Sequence, residues 1–513
     1  MALLLIGAAY GFADQRCAPC HAKEVSGYAR TGMANSLSKP KKLASAKFSH
    51  PYSGTNFQIQ STENGVRQTL ERDGFTGQHL VEYVIGSGNH AFGFLVQIGG
   101  YLFQSPVSYY SKRAIWDVAP GYERDRSPDY TRPVTLECVL CHSGRPLPVP
   151  ETLNKFEKPA FASEGITCER CHGSAVAHLA RPSPSNIINP AKLPARARDS
   201  VCEQCHLGGE ARIPNAGRRL SDFQPGQELE EVMSVYIQEL PADPTVRSTV
   251  KVVSHVEQLA LSACARKSEG KLWCGTCHDP HQKPANTLAY RERCLSCHSG
   301  ESLKIHTAPT TDCVGCHMPS RPARDGGHTA FTDHRIARRS PAADGVSPAR
   351  KLVAWREPAG SMAIRNLGLA NITVAERDQS AIHMEEGTRL LIEAKAAFPD
   401  DPALLTSLGL VALRKKRSQE AVGLFEQALQ AQPDYAPYHV NAATAVNLAG
   451  DPAKAIQLLE RAITLDPSLE AAYRRLTEIY ARTGQRAKVR STFERYLRFM
   501  PNNVTAQTAL ALE

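Results

Sequence analysis

The sequence lacks any uninterrupted run of 18 or more apolar residues, so no transmembrane helix is expected. It also lacks the glycine and proline excess of collagen-like or disordered chains, with 35 glycines and 34 prolines among 513 residues. Charged residues make up 22% of the chain, an ordinary share for a globular protein. The chain is therefore expected to fold into two or three globular domains without a membrane-spanning segment.

Cysteine is the residue type that stands out, because there are fifteen and all lie before residue 335. An odd number cannot be paired completely into disulfides. Fourteen of the fifteen belong to Cys-x-x-Cys-His motifs. The seven motifs are Cys17/Cys20/His21, Cys138/Cys141/His142, Cys168/Cys171/His172, Cys202/Cys205/His206, Cys274/Cys277/His278, Cys294/Cys297/His298 and Cys313/Cys316/His317.

This motif has a direct chemical interpretation. Two thiols three positions apart reach the two vinyl groups of one haem as thioethers, and the adjacent histidine lies under the iron as proximal ligand. Zinc sites also use Cys-x-x-Cys pairs, but they do not require a histidine directly after the second cysteine. Because all seven pairs carry that histidine, the sequence predicts seven covalently bound haems c rather than zinc sites or disulfides.

The predicted haems change how the charge of the chain is interpreted. A formal charge of +9 alone would suggest a nucleic-acid or acidic membrane partner. The propionates of seven haems would bring fourteen negative charges, which leaves the holoprotein at roughly −5. The basic residues are therefore interpreted as propionate partners, and no nucleic-acid partner is expected.

A six-coordinate haem iron needs a second axial ligand, and histidines outside the motifs are the candidates. The predicted distal ligands are His90, His178, His255, His281, His306, His328 and His334. His178 and His281 follow their own proximal histidines too closely to swing across the same haem, so each is expected to reach a neighbouring one. His50 and His79 are weaker candidates with a surface position as the alternative, and His383 and His439 are expected to be ordinary helix residues.

The first 13 residues form a short apolar stretch that ends in small residues, as at the cleavage region of a signal peptide. The stretch lacks a positively charged start, so the alternative is a buried N-terminal segment. Because haem c is attached outside the cytoplasm, the chain is expected to be periplasmic or otherwise exported.

The order of motifs along the chain predicts the domain organisation. Residues 14–335 are expected to form a loop-and-helix haem domain with a small β-insert at about 48–115. The insert includes a hairpin at Phe94–Gln104 that turns at Gly99 and Gly100. Residues 336–365 are rich in proline, glycine, serine and charge and are predicted to be a linker, followed by a helical domain at 366–513. The predicted fold class is mainly α.

The helical domain repeats with a period of 34 residues. Position 1 falls at Pro402, Ala436 and Glu470, and position 32 is a proline in each unit: Pro433, Pro467 and Pro501. This period and the small residues at fixed positions are typical of the tetratricopeptide repeat, which stacks into an α-solenoid. Two roles remain open for the solenoid: a purely structural one and the docking of a protein partner.

Three segments carry a family resemblance: Cys168-Glu-Arg-Cys-His-Gly-Ser-Ala-Val-Ala-His178, Cys274-Gly-Thr-Cys-His-Asp-Pro-His281 and Cys313-Val-Gly-Cys-His-Met-Pro. They resemble the multihaem cytochromes c related to the tetrahaem cytochromes of ammonia oxidation and to hydroxylamine oxidoreductase. With its repeats, the chain looks like a tetratricopeptide multihaem cytochrome. The resemblance implies that His178 and His281 ligate neighbouring haems. It also implies a histidine near position 33, where this chain has Met33, either a distal ligand or a packing residue.

Three functions are compatible with these patterns. The leading hypothesis is electron transfer between redox partner proteins, with docking through the repeats. The second is an oxidoreductase that acts on a small nitrogen or sulfur compound at one open haem, walled by the loop from Ser87 to His90 and by Tyr109 and Tyr110. The third is a scaffold whose repeats recruit partners. Cys264 lies outside every motif and is either a small buried residue or a reactive thiol.

Overall fold

The computed structural model describes residues 15–239, 250–299, 312–337 and 351–513. The predicted signal-peptide remnant and the candidate ligand His306 lie outside these residues, as does the middle of the predicted linker. Within the described ranges, none of the helices combines the length and the apolar character that a membrane span requires.

Strands are frequent in the first two-thirds of the chain. They are β1 Leu37–Ser38, β2 Ala46–His50, β3 Thr55–Thr62, β4 Gly65–Arg72, β5 Phe75–Leu80, β6 Tyr83–Ile85, β7 Ala91–Ile98, β8 Tyr101–Tyr110, β9 Ile115–Val118, β10 Arg132–Pro133, β11 Arg145–Pro148, β12 Phe156–Ser163, β13 Ala211–Pro214, β14 Met233–Gln238, β15 Ser320–Pro322, β16 Ala330–Thr332 and β17 Leu352–Ala354. A four-stranded sheet has the order β2-β3-β4-β5, and a six-stranded sheet has the order β1-β6-β7-β8-β10 with β9 beside β8. Smaller sheets join β11 to β12, β15 to β16, and β13-β14-β17.

The helices of the cysteine-bearing region (residues 15–337) are short. They are α1 Ala18–Tyr28, α2 Leu136–Leu140, α3 Glu169–His172, α4 Val176–Ala180, α5 Ala195–His206, α6 His255–Leu261, α7 Ala263–Lys267, α8 Cys274–Cys277, α9 Arg291–Leu295 and α10 Cys313–His317. Five 3₁₀ turns accompany them at Gln15–Cys17, Pro190–Lys192, Leu220–Asp222, Leu229–Glu231 and Thr287–Tyr290. Most of these helices end within one or two turns, so loops connect a large share of the region.

The prediction of a mainly α region with a small β-insert is wrong for this part of the chain. Strands extend from Leu37 to Ala354 and reach well beyond the predicted insert at 48–115. The predicted hairpin is confirmed, because β7 and β8 pair across Gly99 and Gly100, which have φ values of +58° and +92°. The strands outside the insert are mostly two to eight residues long, too short for their alternation to be recognised in sequence.

The predicted linker is also wrong for its described second half. Strand β17 pairs with β14 through Leu352 opposite Gln238, and the first solenoid helix begins at Ser361. Trp355 Nε1 donates a hydrogen bond to Glu203 at 3.0 Å. Leu352 and Trp355 therefore pack on the cysteine-bearing region, so this stretch is not a spacer.

The repeat solenoid follows as a series of antiparallel helices. They are α11 Ser361–Asp378, α12 Ala381–Ala394, α13 Pro402–Arg414, α14 Ser418–Ala431, α15 Ala436–Leu448, α16 Pro452–Leu465, α17 Glu470–Arg482, α18 Arg486–Phe499 and α19 Val504–Ala511. The predicted repeat starts are confirmed, because α13, α15 and α17 begin at Pro402, Ala436 and Glu470. Asp401 caps α13 by accepting a hydrogen bond from Leu404 N at 2.9 Å, which fixes the start of that helix.

The solenoid packs onto the strands of the same chain at both ends. One hydrophobic core joins side chains of β3, β4 and β6–β8 to side chains of α15–α19. A second core joins β13, β14 and β17 to α11–α15. The two regions therefore share two hydrophobic cores.

Candidate functional site

A large cavity lies in the cysteine-bearing region, with a volume of about 4110 Å³. A site for one small ligand typically measures ~300–1,000 Å³. All seven predicted proximal histidines line the cavity, and so do thirteen of the fourteen motif cysteines, the exception being Cys138. The structure therefore brings all seven motifs, which span nearly 300 residues of sequence, to one shared space.

Each motif lies on a short helix or helical turn. In the third motif His172 N donates to Cys168 O at 3.0 Å, and in the fifth His278 N donates to Cys274 O at 2.9 Å. A helical turn places residues three and four positions apart on one face. In these two motifs the second cysteine and the histidine therefore lie on the same face as the first cysteine. In the first motif His21 departs from helical geometry, with φ −123° and ψ 42°.

Three of the predicted proximal histidines face a predicted distal histidine in a nearly parallel orientation. The ring centroids are 6.4 Å apart for His21 and His178, 5.9 Å for His172 and His281, and 6.3 Å for His278 and His334. A histidine nitrogen lies about 2.0–2.1 Å from a bound metal, with its ring centroid about 1 Å beyond, so one metal between two imidazoles separates their centroids by about 6 Å. The three pairs have that separation.

A fourth pair is perpendicular rather than parallel. His206 and His255 have centroids 5.6 Å apart with an interplanar angle of 90°. His255 also lies 4.9 Å from His334, so three imidazoles meet at this point of the cavity. Burial, helped by the neighbouring His334 and His206, lowers the pKa of His255 to about 3. This imidazole is therefore neutral at physiological pH, the form that binds metals.

Hydrogen bonds at Nδ1 orient several of these rings. The Nδ1–H groups of His172, His317 and His334 donate to the carbonyl oxygens of Ile188, Ala337 and Thr332 at 2.7, 3.0 and 3.0 Å. A histidine that ligates a metal through Nε2 usually donates its other N–H to such an oxygen, which fixes the tautomer and the ring orientation. These hydrogen bonds favour the tautomer in which Nε2 carries no proton, the form in which Nε2 can bind a metal.

A similar arrangement occurs with side-chain partners at three more of the paired rings. His178 Nδ1 lies 3.0 Å from Asn186 Oδ1, His278 Nδ1 lies 3.2 Å from the Tyr290 hydroxyl, and His281 Nδ1 lies 3.3 Å from Asp279 Oδ1. Sequence reasoning missed these oxygen-bearing partners. Only the position of Asp279, directly after His278 and two residues before His281, gave a local signal for one of them.

The structure does not bring His328 to the cavity with the other candidates. Its Nε2 lies 2.7 Å from Asp117 Oδ2 and its Nδ1 lies 3.1 Å from Arg113 Nη1, so both ring nitrogens have protein partners. His50 is similar, because its nitrogens contact the Ser53 hydroxyl and the Glu123 carbonyl. A ring with both nitrogens engaged has none left for a metal.

Three other candidates have different surroundings. His79 is buried, not on the surface, and stacks on Tyr130 with centroids 3.9 Å apart. His90 lines the cavity and stacks on Phe331 at 4.2 Å. Met33 lines the cavity near the first motif and packs against the cluster that includes Val25. Because His178 already faces His21, the Met33 position is not needed to complete that pair.

Neighbouring motifs also contact one another. The side chain of Cys205 lowers the pKa of the Cys141 thiol, and the side chain of Cys202 lowers the pKa of the Cys274 thiol. The second, fourth and fifth motifs are therefore close neighbours in the cavity. Cys264 lines the same cavity.

All fifteen cysteines lie within the described ranges, and none forms a disulfide. Among the described residues, no three His, Cys, Asp or Glu side chains converge to hold a metal ion by themselves. A structural zinc site needs four protein ligands, whereas a haem iron takes only its axial ligands from the protein.

The comparisons with known proteins concern the solenoid. Tetratricopeptide repeat family models match residues 386–436, 406–470 and 447–512. A tetratricopeptide repeat-containing protein of Pseudomonas aeruginosa is 35% identical over 85 residues, which is 17% of this chain and 13% of that protein. The chain therefore contains tetratricopeptide repeats, a class of protein–protein interaction module, and matches only a small part of that relative's length.

Solved structures with similar parts have low scores over the whole chain. A crystal structure of MamA has 17% identity and a TM-score of 0.25, covering 28% of this chain and 81% of that one. An O-GlcNAc transferase mutant of Thermobaculum terrenum has 21% identity and a TM-score of 0.25, covering 27% of each chain.

Proposed function

We propose that the chain is an exported electron carrier that binds seven haems c covalently and passes electrons between redox partner proteins. The observation that carries this proposal is the convergence of all seven Cys-x-x-Cys-His motifs on one cavity of about 4110 Å³. Export follows from the chemistry, because haem c is attached outside the cytoplasm.

The composition of the cavity wall supports a large occupant. Between residues 250 and 337, the described part contains three buried apolar side chains: Val250, Leu261 and Ala323. A segment of this length ordinarily needs its own apolar core to offset the entropy of folding. Flat apolar groups held by the motifs would supply that core.

The chain's own residues have defined tasks in this proposal. The paired thiols would hold each haem as thioethers, and the histidine of the motif would ligate its iron. His178, His281 and His334 would supply a second ligand at three of the sites. Carbonyl oxygens such as Ile188 O, 2.7 Å from His172 Nδ1, fix the ring orientation and raise the basicity of the ligand. When bound, haem supplies one-electron chemistry at iron, with a potential set by these ligands.

The second candidate function is an oxidoreductase with one open haem. The observation that favours it is that three motif histidines lining the cavity, His142 among them, belong to none of the four histidine pairs described above. Ser87, His90 and Tyr110 line the same cavity, as expected for the wall of a substrate pocket. The sequence pointed instead to the first haem, where the structure has His178 facing His21 at 6.4 Å.

Electron paramagnetic resonance of the exported protein separates the two functions. A pure carrier gives low-spin signals alone and is unchanged by cyanide, nitrite or hydroxylamine. An enzyme with an open haem at His142 gives a high-spin signal of about one haem that cyanide converts to low spin. Replacing His142 with methionine would alter that high-spin signal in the second case and the low-spin signal of one haem in seven in the first.

A further inference from the structure

The six-stranded sheet is buried on both faces, and each face meets a different part of the chain. Neighbouring side chains of a strand point to opposite faces. On β7, Phe94 and Val96 pack into the core shared with the solenoid, whereas Leu95 packs in the cluster that contains Val139 of α2. Helix α2 carries the second motif. One sheet therefore separates the solenoid from the second motif.

The solenoid contacts this sheet through the end of α18. The Phe499 ring meets the Tyr101 ring edge-on, with centroids 5.8 Å apart. It also covers the hairpin turn, because a Cβ at Gly99 would lie 2.7 Å from the Phe499 ring. The turn glycine, the aromatic ring and the strand that follows are thus fitted to one another.

The neighbouring four-stranded sheet is held by the loop after α18. Asn502 Nδ2 donates to the Gln78 carbonyl at 2.7 Å. Arg72 Nη2 donates to Thr505 Oγ1 at 2.8 Å from a buried position. The backbone at Gly77 lies so close to the same loop that a Cβ there would be 2.3 Å from the Asn502 carbonyl oxygen.

The opposite end of the solenoid is held by polar contacts to the three-stranded sheet. Arg365 Nη1 donates to the Pro214 carbonyl at 2.8 Å, and Asn366 Nδ2 donates to Ser234 Oγ at 2.9 Å. Arg365 and Asn366 are almost fully buried. Buried polar groups are costly unless bonded, so these contacts specify how α11 sits on β13 and β14.

We propose that the partner of the repeat solenoid is the chain's own strands. The solenoid packs on one face of the six-stranded sheet and stabilises that sheet, whose other face supports the second motif. Repeat solenoids usually offer an extended surface to a separate protein. Here apolar side chains from both ends of the solenoid pack against strands of the same chain. The proposal does not depend on haem, since every contact that carries it is between protein atoms.

The test compares two glycine-to-alanine variants in the full exported chain by hydrogen–deuterium exchange. Gly77→Ala forces a Cβ against the Asn502 carbonyl, whereas a Cβ at Gly423 on α14 meets nothing within 4 Å. Gly77→Ala is expected to speed exchange roughly tenfold in α18 and α19, in β7 and β8, and at α2 on the far side of the sheet. Gly423→Ala, the matched control, is expected to leave all these segments unchanged.

Two results would overturn the proposal. Unchanged exchange in α18 and α19 would mean that the contact is not formed, and faster exchange there with full protection of β7, β8 and α2 would mean that the solenoid does not support the sheet. Where Gly77→Ala prevents folding, Asn502→Ala removes only the bond to Gln78 and must give the same pattern more weakly. Haem content is measured separately, so failure of the proposed function is distinguishable from failure of this one.

Discussion

The repeat solenoid and the second half of the cysteine-bearing region are stabilised in different ways. In the solenoid, side chains such as Leu404, Phe425 and Leu459 are fully buried against neighbouring helices. In the described part of residues 250–337, apolar burial is sparse and the motifs surround a cavity instead. The difference teaches that the solenoid has an apolar core made of its own side chains, whereas the second half of the cysteine-bearing region surrounds a cavity that we propose haem fills.

The largest expected effect comes from withholding haem. A chain produced in the cytoplasm, without haem attachment, is expected to lose amide protection in the described part of residues 250–337, because its few buried apolar residues cannot replace a core. Helices α12–α16 are expected to stay protected. Hydrogen–deuterium exchange of cytoplasmic and exported chains measures both regions. Equal protection of 250–337 in the two preparations would contradict the comparison.

The next largest effect is the loss of stability expected when a core side chain of the solenoid is truncated. Phe425 is fully buried and packs so closely on Gly409 that a Cβ there would lie 2.7 Å from its ring. Phe425→Ala is expected to lower the free energy of unfolding by about 3–5 kcal/mol, measured by urea denaturation followed by circular dichroism. Leu448→Ala, at a side chain 59% exposed, is the control and should change it by less than about 0.5 kcal/mol. The visible spectrum should not change in either variant.

The free energy of unfolding should depend on pH through a group at the boundary between the two regions. Asp129 lies there and is almost fully buried, and burial raises its pKa to about 6. Because the folded-state pKa is above the ordinary value of 3.8, the contribution of this group is fully present below about pH 4 and is lost as the pH rises to about 6. The expected loss is at most about 3 kcal/mol. Denaturation of wild type and Asp129→Asn at pH 4 and pH 7 measures it, and an equal pH dependence in both would refute this assignment.

The smallest expected effect is confined to one haem. His178→Met removes the imidazole that faces His21 and should alter the low-spin signal of about one haem in seven. His328→Met is the control, since both nitrogens of His328 are engaged by Asp117 and Arg113. Electron paramagnetic resonance measures the low-spin signals of both variants. A signal that changes with His328 and not with His178 would reverse the ligand assignment.

The sequence predicted the features that repeat or that lie within one local segment. Helices begin at Pro402, Ala436 and Glu470 as the 34-residue period required, and the hairpin turns at Gly99 and Gly100. Both depend on interactions between residues close in sequence, which leave a local pattern.

Long-range pairings were not predictable in the same way. Strand β17 has three residues and pairs with β14 more than a hundred positions away, so it is too short to show a recognisable sequence period. The pairing of His172 with His281 likewise depends on where two distant loops meet. His328 has the same residue type as the paired histidines, and only the neighbouring Asp117 and Arg113 in space distinguish it.

The most direct test of the central claim is the intact mass of the exported chain. Seven thioether-linked haems predict a mass that exceeds the polypeptide by seven haem masses, and by six when Cys274 and Cys277 are both replaced with serine. A chain at its bare polypeptide mass, with or without zinc, would contradict the claim that the cavity of the cysteine-bearing region is built around haem.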